Sequence, residues 1–138
     1  DESTLPTGVR KITLDEAFAT SRIVSLHCPL TEQNRAFVNA SLLERSAPGL
    51  ILVNTARGAL IDDIAVAEAL QSGRLGAYAC DVLSTEPPAA DHPILSAPNT
   101  YVTPHIAWAT AAARGRIVRI MADNLKAFLA GAPQNVVS

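Results

Sequence analysis

Four short apolar runs, each followed by a break and then a helical stretch, constrain this 138-residue chain more than any other feature. They are Ile23-Val24-Ser25-Leu26-His27-Cys28, Leu50-Ile51-Leu52-Val53-Asn54, Gly76 to Cys80, and Tyr101-Val102-Thr103. Most of these runs are near-continuously apolar, without the clean in-out alternation of a sheet that faces water on one side. Such strands, joined through helices, belong to a parallel sheet with helices on its faces. Chemistry in such a sheet gathers beyond the C-terminal ends of the strands.

The connecting segments carry their own punctuation. Thr13-Leu14-Asp15-Glu16 has the capping-box pattern and predicts a helix to about Thr20. Pro29 stops the first strand. A helical segment from Ala40 to Arg45 precedes Pro48-Gly49 and the second strand. Asp62 caps a helix with Val66, Ala67 and Leu70 at helical spacing, ended by Gly73. The stretch from Pro87 to Pro98 has four prolines and no period, which predicts a loop. A last helix begins near Thr110 with Ile117, Ile120, Met121, Leu125, Phe128 and Leu129 along one side; Gly131 and Pro133 close it. That stripe reads as core or domain packing.

Composition narrows the class. With 49% hydrophobic and 17% charged residues the chain can build a packed core, and its length suggests one domain. A net charge of −2 gives no basic field for nucleic acid. No apolar run reaches the roughly 18 residues that span a bilayer, so no membrane partner is expected. Asp1-Glu2-Ser3-Thr4 shows no basic or apolar leader pattern. Cys28 and Cys80 lack metal or disulfide spacing and read as buried thiols in a reducing cytoplasm; no metal site is expected.

Three strand ends lead into loops with one ionisable residue each: Asn54-Thr55-Ala56-Arg57-Gly58, Asp81-Val82-Leu83-Ser84-Thr85-Glu86-Pro87-Pro88, and Thr103-Pro104-His105-Ile106-Ala107-Trp108. An Arg can fork a carboxylate. A Glu can pair with an imidazole and keep it protonated, and a His can hand a proton to a carbonyl oxygen. Alone, Arg57 reads as a surface residue, Glu86 as a loop acid and His105 as a histidine satisfied at a strand end. Together they predict a site on one sheet edge, with the Glu86 carboxylate in hydrogen-bond reach of the His105 ring. Asp62 and Asp63 are most simply acids at a helix N-terminus.

These stretches, with Ser25-Leu26-His27-Cys28-Pro29-Leu30-Thr31, resemble in order and spacing the C-terminal portion of the D-isomer-specific 2-hydroxyacid dehydrogenases, nearest the bacterial glycerate dehydrogenase (hydroxypyruvate reductase) branch. Arg22 and Ala47-Pro48 depart from the family pattern without touching the motifs. The resemblance implies an α/β, parallel-sheet, Rossmann-like fold: the C-terminal half of an NAD-binding domain, about four strands with helices on both faces. It implies Arg57, Glu86 and His105 as catalytic residues. It also implies cofactor contacts from Cys28, Pro29, Thr55, Ala56, Arg57, Asp81, His105 and Ala107, with NAD as cofactor (NADP also fitting). For His27 a structural hydrogen bond weighs as much as cofactor contact. The implied reaction is hydride transfer between NAD(P)H and a small 2-keto acid of the hydroxypyruvate or glyoxylate class. A non-enzymatic, NAD-sensing corepressor-like module is the alternative.

The dinucleotide fingerprint GxGxxG occurs nowhere in the 138 residues. The chain is therefore expected to be a fragment spanning positions 1–138 of a partial NAD-binding domain, without the fingerprint half or the substrate domain. It is expected to be inactive alone and to bind NAD weakly. The edge of the Ile23–His27 strand is expected to lack a partner, which favours a homodimer or larger assembly.

Overall fold

A computed structural model describes residues 5–137; the leader reading of Asp1–Thr4 lies outside them. The chain divides into two compact units, with the split between Pro104 and His105.

The first unit is a four-stranded, all-parallel sheet. Its strands are β1 (Ile23–Leu26), β2 (Leu50–Asn54), β3 (Leu75–Cys80) and β4 (Thr100–Val102), in the order β1-β2-β3-β4. Its helices are α1 (Leu14–Thr20), α2 (Ala40–Glu44), α3 (Asp63–Gln71) and α4 (Pro93–Ser96), with a 3-10 turn at Gly58–Leu60. Local chemistry sets the ends. The Thr13 hydroxyl accepts from the Glu16 N–H at 3.1 Å, and Asp62 Oδ1 accepts from the N–H groups of Ile64 and Ala65, each at 3.1 Å. Gly73 follows α3 at φ +74°, a conformation that Gly adopts without a Cβ penalty.

Two sequence expectations change in detail. The first strand ends at Leu26, so His27 and Cys28 lie beyond it. The proline-rich stretch is not all loop: Pro93 sits in the first turn of α4, where its missing N–H costs nothing, and the His92 ring caps that turn.

Residues of one parity face the core. Leu50, Leu52 and Asn54 of β2 pair with Leu75, Tyr78 and Cys80 of β3, and all are buried. They join Phe18 of α1, Leu42 and Leu43 of α2, Val66 and Leu70 of α3 and Ile94 of α4 in one hydrophobic cluster. The helices of this unit share one face of its sheet, as strands added always on the same side through crossovers of one hand require. The opposite parity is more open: Ile23 is 61% and Tyr101 68% exposed.

The second unit is a turn, Thr110 as N-cap, and the long α5 (Ala111–Leu129). The Thr110 hydroxyl accepts from the Ala113 N–H at 3.2 Å. Gly131 follows at φ +73°, and the Asn135 side chain donates to Asn124 Oδ1 at 2.8 Å. The predicted helix is present, and none of its residues is buried.

Candidate active site

The strand ends of the first unit are laced together. The Asp81 N–H donates to the Asn54 carbonyl (3.0 Å), and the Thr103 N–H to the Cys80 carbonyl (2.9 Å). The loops that follow β2 and β3 therefore start side by side.

Arg57 stands three residues past the end of β2. Its loop is shaped by Asn54, whose side chain is fully buried. Asn54 Oδ1 accepts from the Ala56 N–H and Nδ2 donates to the Arg57 carbonyl, both at 3.0 Å. Both ends of a buried amide are thus spent on the loop backbone, which meets the requirement that buried polar groups be paired. Arg57 itself is exposed, with Nη1 donating to the Ala56 carbonyl at 2.7 Å. Asn54 is the residue whose role the sequence reading passed over. Its signal was a polar side chain on the buried parity of an apolar strand.

Gly58 brings the next loop in. A Cβ at this position would collide with the carbonyl carbon and oxygen of Leu83 and with the Ser84 nitrogen. Only glycine admits this approach, and it sets the Arg57 turn against the loop that carries Glu86. Glu86 Oε1 accepts from the Leu83 N–H at 2.9 Å, and the Glu86–Pro87 peptide is cis.

A cleft of about 370 Å³ lies at the ends of β1 and β2, lined by His27, Cys28, Pro29, Thr55, Ala56 and Arg57. Five of the eight residues expected to meet the cofactor thus share one wall. His27 Nε2 is 2.8 Å from the Ser25 hydroxyl. Asp81, also expected there, does not line the cleft. It is 4% exposed and accepts a hydrogen bond from the Thr103 hydroxyl. Burial holds the neighbouring Cys80 thiol in its protonated form, pushed up to about 11, and raises the Tyr78 phenol as well. Cys80 is therefore not a thiolate nucleophile near neutral pH. Among the described residues no group of three or more His, Cys, Asp or Glu is arranged to hold a metal, and no helix is long and apolar enough to cross a membrane.

His105 and Ala107 open the second unit. His105 is exposed, with φ at +54°, and the Trp108 indole N–H donates to its carbonyl at 2.9 Å. Trp108 is 56% exposed and serves this turn.

Comparisons with known proteins point one way. The family model "D-isomer specific 2-hydroxyacid dehydrogenase, NAD binding domain" matches residues 1–107. The chain is 41% identical to a hydroxypyruvate reductase of Blautia hydrogenotrophica, over 94% of its own length and 40% of that protein. It is 39% identical to a glycerate dehydrogenase of Methylorubrum extorquens, over 91% of its length and 41% of that protein. Among solved structures, an acyclic imino acid reductase in complex with NADPH and D-Arg superposes with a TM-score of 0.86 at 29% identity, covering all of this chain and 44% of the other. The chain spans about two-fifths of the length of the curated relatives it matches. These relatives lend the corepressor-like reading no support. The lacing of the parallel strand ends, the glycine-mediated contact of two loops and the extent of these matches lead to one assignment: the chain belongs to the NAD-binding-domain family of the D-isomer-specific 2-hydroxyacid dehydrogenases.

Proposed function

We propose that this chain supplies the catalytic edge of an NAD(P)-dependent dehydrogenase that interconverts a small 2-keto acid and its D-2-hydroxy acid, of the hydroxypyruvate/glycerate or glyoxylate/glycolate class. The observation that carries the reading is the abutment of the Arg57 and Glu86 loops at adjacent parallel strand ends, beside the His27–Arg57 cleft.

The cleft fits one end of a dinucleotide. Cys28 and Pro29 offer apolar wall and Thr55 and Ala56 offer loop backbone; Asp81 stands outside this cleft, buried at the end of β3, and its pairing with the nicotinamide carboxamide rests on the family resemblance alone. No residue here holds the pyrophosphate, because the sequence has no glycine-rich fingerprint. When bound, the cofactor supplies or accepts the hydride. The remaining work falls to side chains. Arg57 forks the substrate carboxylate and polarises the carbonyl. His105, as imidazolium, gives its proton to the carbonyl oxygen as negative charge develops there. The family resemblance gives Glu86 the role of the carboxylate that orients the acid-base imidazole. The two free cysteines suit a reducing cytoplasm. The outer edge of β1, with Ile23 exposed, suits pairing in a homodimer or larger assembly, which light scattering reads.

The test is a hybrid in which these residues replace the matching stretch of the Blautia hydroxypyruvate reductase. Reduction of hydroxypyruvate by NADH is expected, with His105→Gln lowering kcat and Arg57→Ala raising KM. An active hybrid in which both variants keep full rates sinks the reading. Calorimetry on the 138-residue chain alone is expected to show no micromolar NADH binding.

A further inference from the structure

We propose that Asp63 is a positioning residue for Glu86, holding the segment that carries it at both ends; this rests on the role given to Glu86 above. Asp63 opens α3, and its side chain is 11% exposed. Its Oδ2 accepts a hydrogen bond from the Ser84 hydroxyl and lies 3.3 Å from His92 Nε2, a close polar contact. Ser84 and His92 bracket the segment with Glu86 inside it.

The tautomer of His92 is fixed by its other nitrogen. Nδ1 accepts from the Ile94 N–H at 3.4 Å, which leaves the proton of a neutral ring on Nε2, the nitrogen nearest Asp63. His92 is 7% exposed, which shields this contact from water.

A plain helix-end role does not account for Asp63. Capping of α3 is already done by Asp62, whose Oδ1 takes the free N–H groups of Ile64 and Ala65. Asp63 Oδ1 is buried with no hydrogen-bond partner among the described residues. A carboxylate held out of water with one oxygen unsatisfied is costly, and what it secures is the loop. That loop is also the surface against which Gly58 packs, so the same staple backs the Arg57 turn.

The Leu83 N–H reports on the device, because it donates to Glu86 Oε1. Hydrogen exchange by NMR on the 138-residue chain is the test. Asp63→Ala is expected to speed Leu83 N–H exchange roughly tenfold while Leu52 and Tyr78 amides stay protected. Ser84→Ala removes the hydroxyl donor and leaves the His92 contact, and is expected to give a smaller rise. Asp63→Asn keeps an accepting oxygen and is expected to stay near wild type. A folded Asp63→Ala protein with unchanged Leu83 exchange, or with equal loss of protection across β2 and β3, overturns the proposal. The hybrid enzyme separates this from the reading of Glu86. If Glu86→Gln keeps full activity while Asp63→Ala still frees the Leu83 amide, the role of Glu86 fails and the staple stands. If Glu86→Gln is disabled while Asp63→Ala keeps a normal kcat and pH profile, the staple fails and Glu86 stands.

Discussion

Helices α3 and α5 both carry apolar residues at helical spacing and meet different fates. The nine-residue α3 buries Ala65, Val66, Ala69 and Leu70. The nineteen-residue α5 buries nothing, and Met121, Leu125, Phe128 and Leu129 are between 59% and 75% exposed. Periodicity therefore specifies which side of a helix is apolar, and topology decides whether that side finds a partner. In the first unit the return of the chain to the next parallel strand presses each helix against the sheet. Beyond β4 there is no further strand in the described residues to impose that return.

The widest gap is expected between equal truncations in the two units. Leu52→Ala, at a fully buried strand position, is expected to cost about 3 kcal/mol in urea unfolding. Leu125→Ala on α5 is expected to change stability by less than about 0.5 kcal/mol. A Leu125→Ala cost matching that of Leu52→Ala would break the comparison. Glycine substitution gives the next contrast. Gly58→Ala forces a methyl into the Leu83 backbone and is expected to cost about 2 kcal/mol, whereas nothing lies within 4 Å of a Cβ at Gly115. There Gly115→Ala is expected to raise helicity, with a gain of up to about 1 kcal/mol, readable by circular dichroism.

The smallest effect is the dependence on pH. Burial pushes the Cys80 thiol up to about 11, so below pH 9 both folded and unfolded chains keep the proton. Between the two values the unfolded chain releases it and the folded chain does not, so stability falls as pH rises through that window. The buried Tyr78 phenol acts in the same direction. Urea midpoints at pH 8 and pH 10 check the sign. Thiol labelling is expected to reach half-buried Cys28 before Cys80, and a faster Cys80 would show that this part of the core opens readily.

Much of this was legible in the sequence for a physical reason. Strand runs, the Thr13 and Asp62 caps and the Gly73 and Gly131 stops are local, and each acts through bonds within a few residues. The gathering of Cys28, Pro29, Thr55, Ala56 and Arg57 followed once the strands were taken as parallel. What stayed hidden depends on distant partners. The Asp63–His92 contact joins the start of α3 to the cap of α4, and the closeness of Gly58 to Leu83 appears only when two loops meet. The α4 turn was masked because prolines read as breakers, although Pro93 stands where a helix accepts one.

The glycine contact has a bearing on redesign. Because the backbone at Gly58 rests on the Leu83–Ser84 peptide, the segments that present the guanidinium and the carboxylate have no slack between them. Changes to either segment are expected to be non-additive, with coupling of about 0.5–3 kcal/mol between touching sites. A library that diversifies residues 55–59 while freezing residues 82–86 samples mostly clashes. Varying the two together treats them as the single inherited module that their contact makes them.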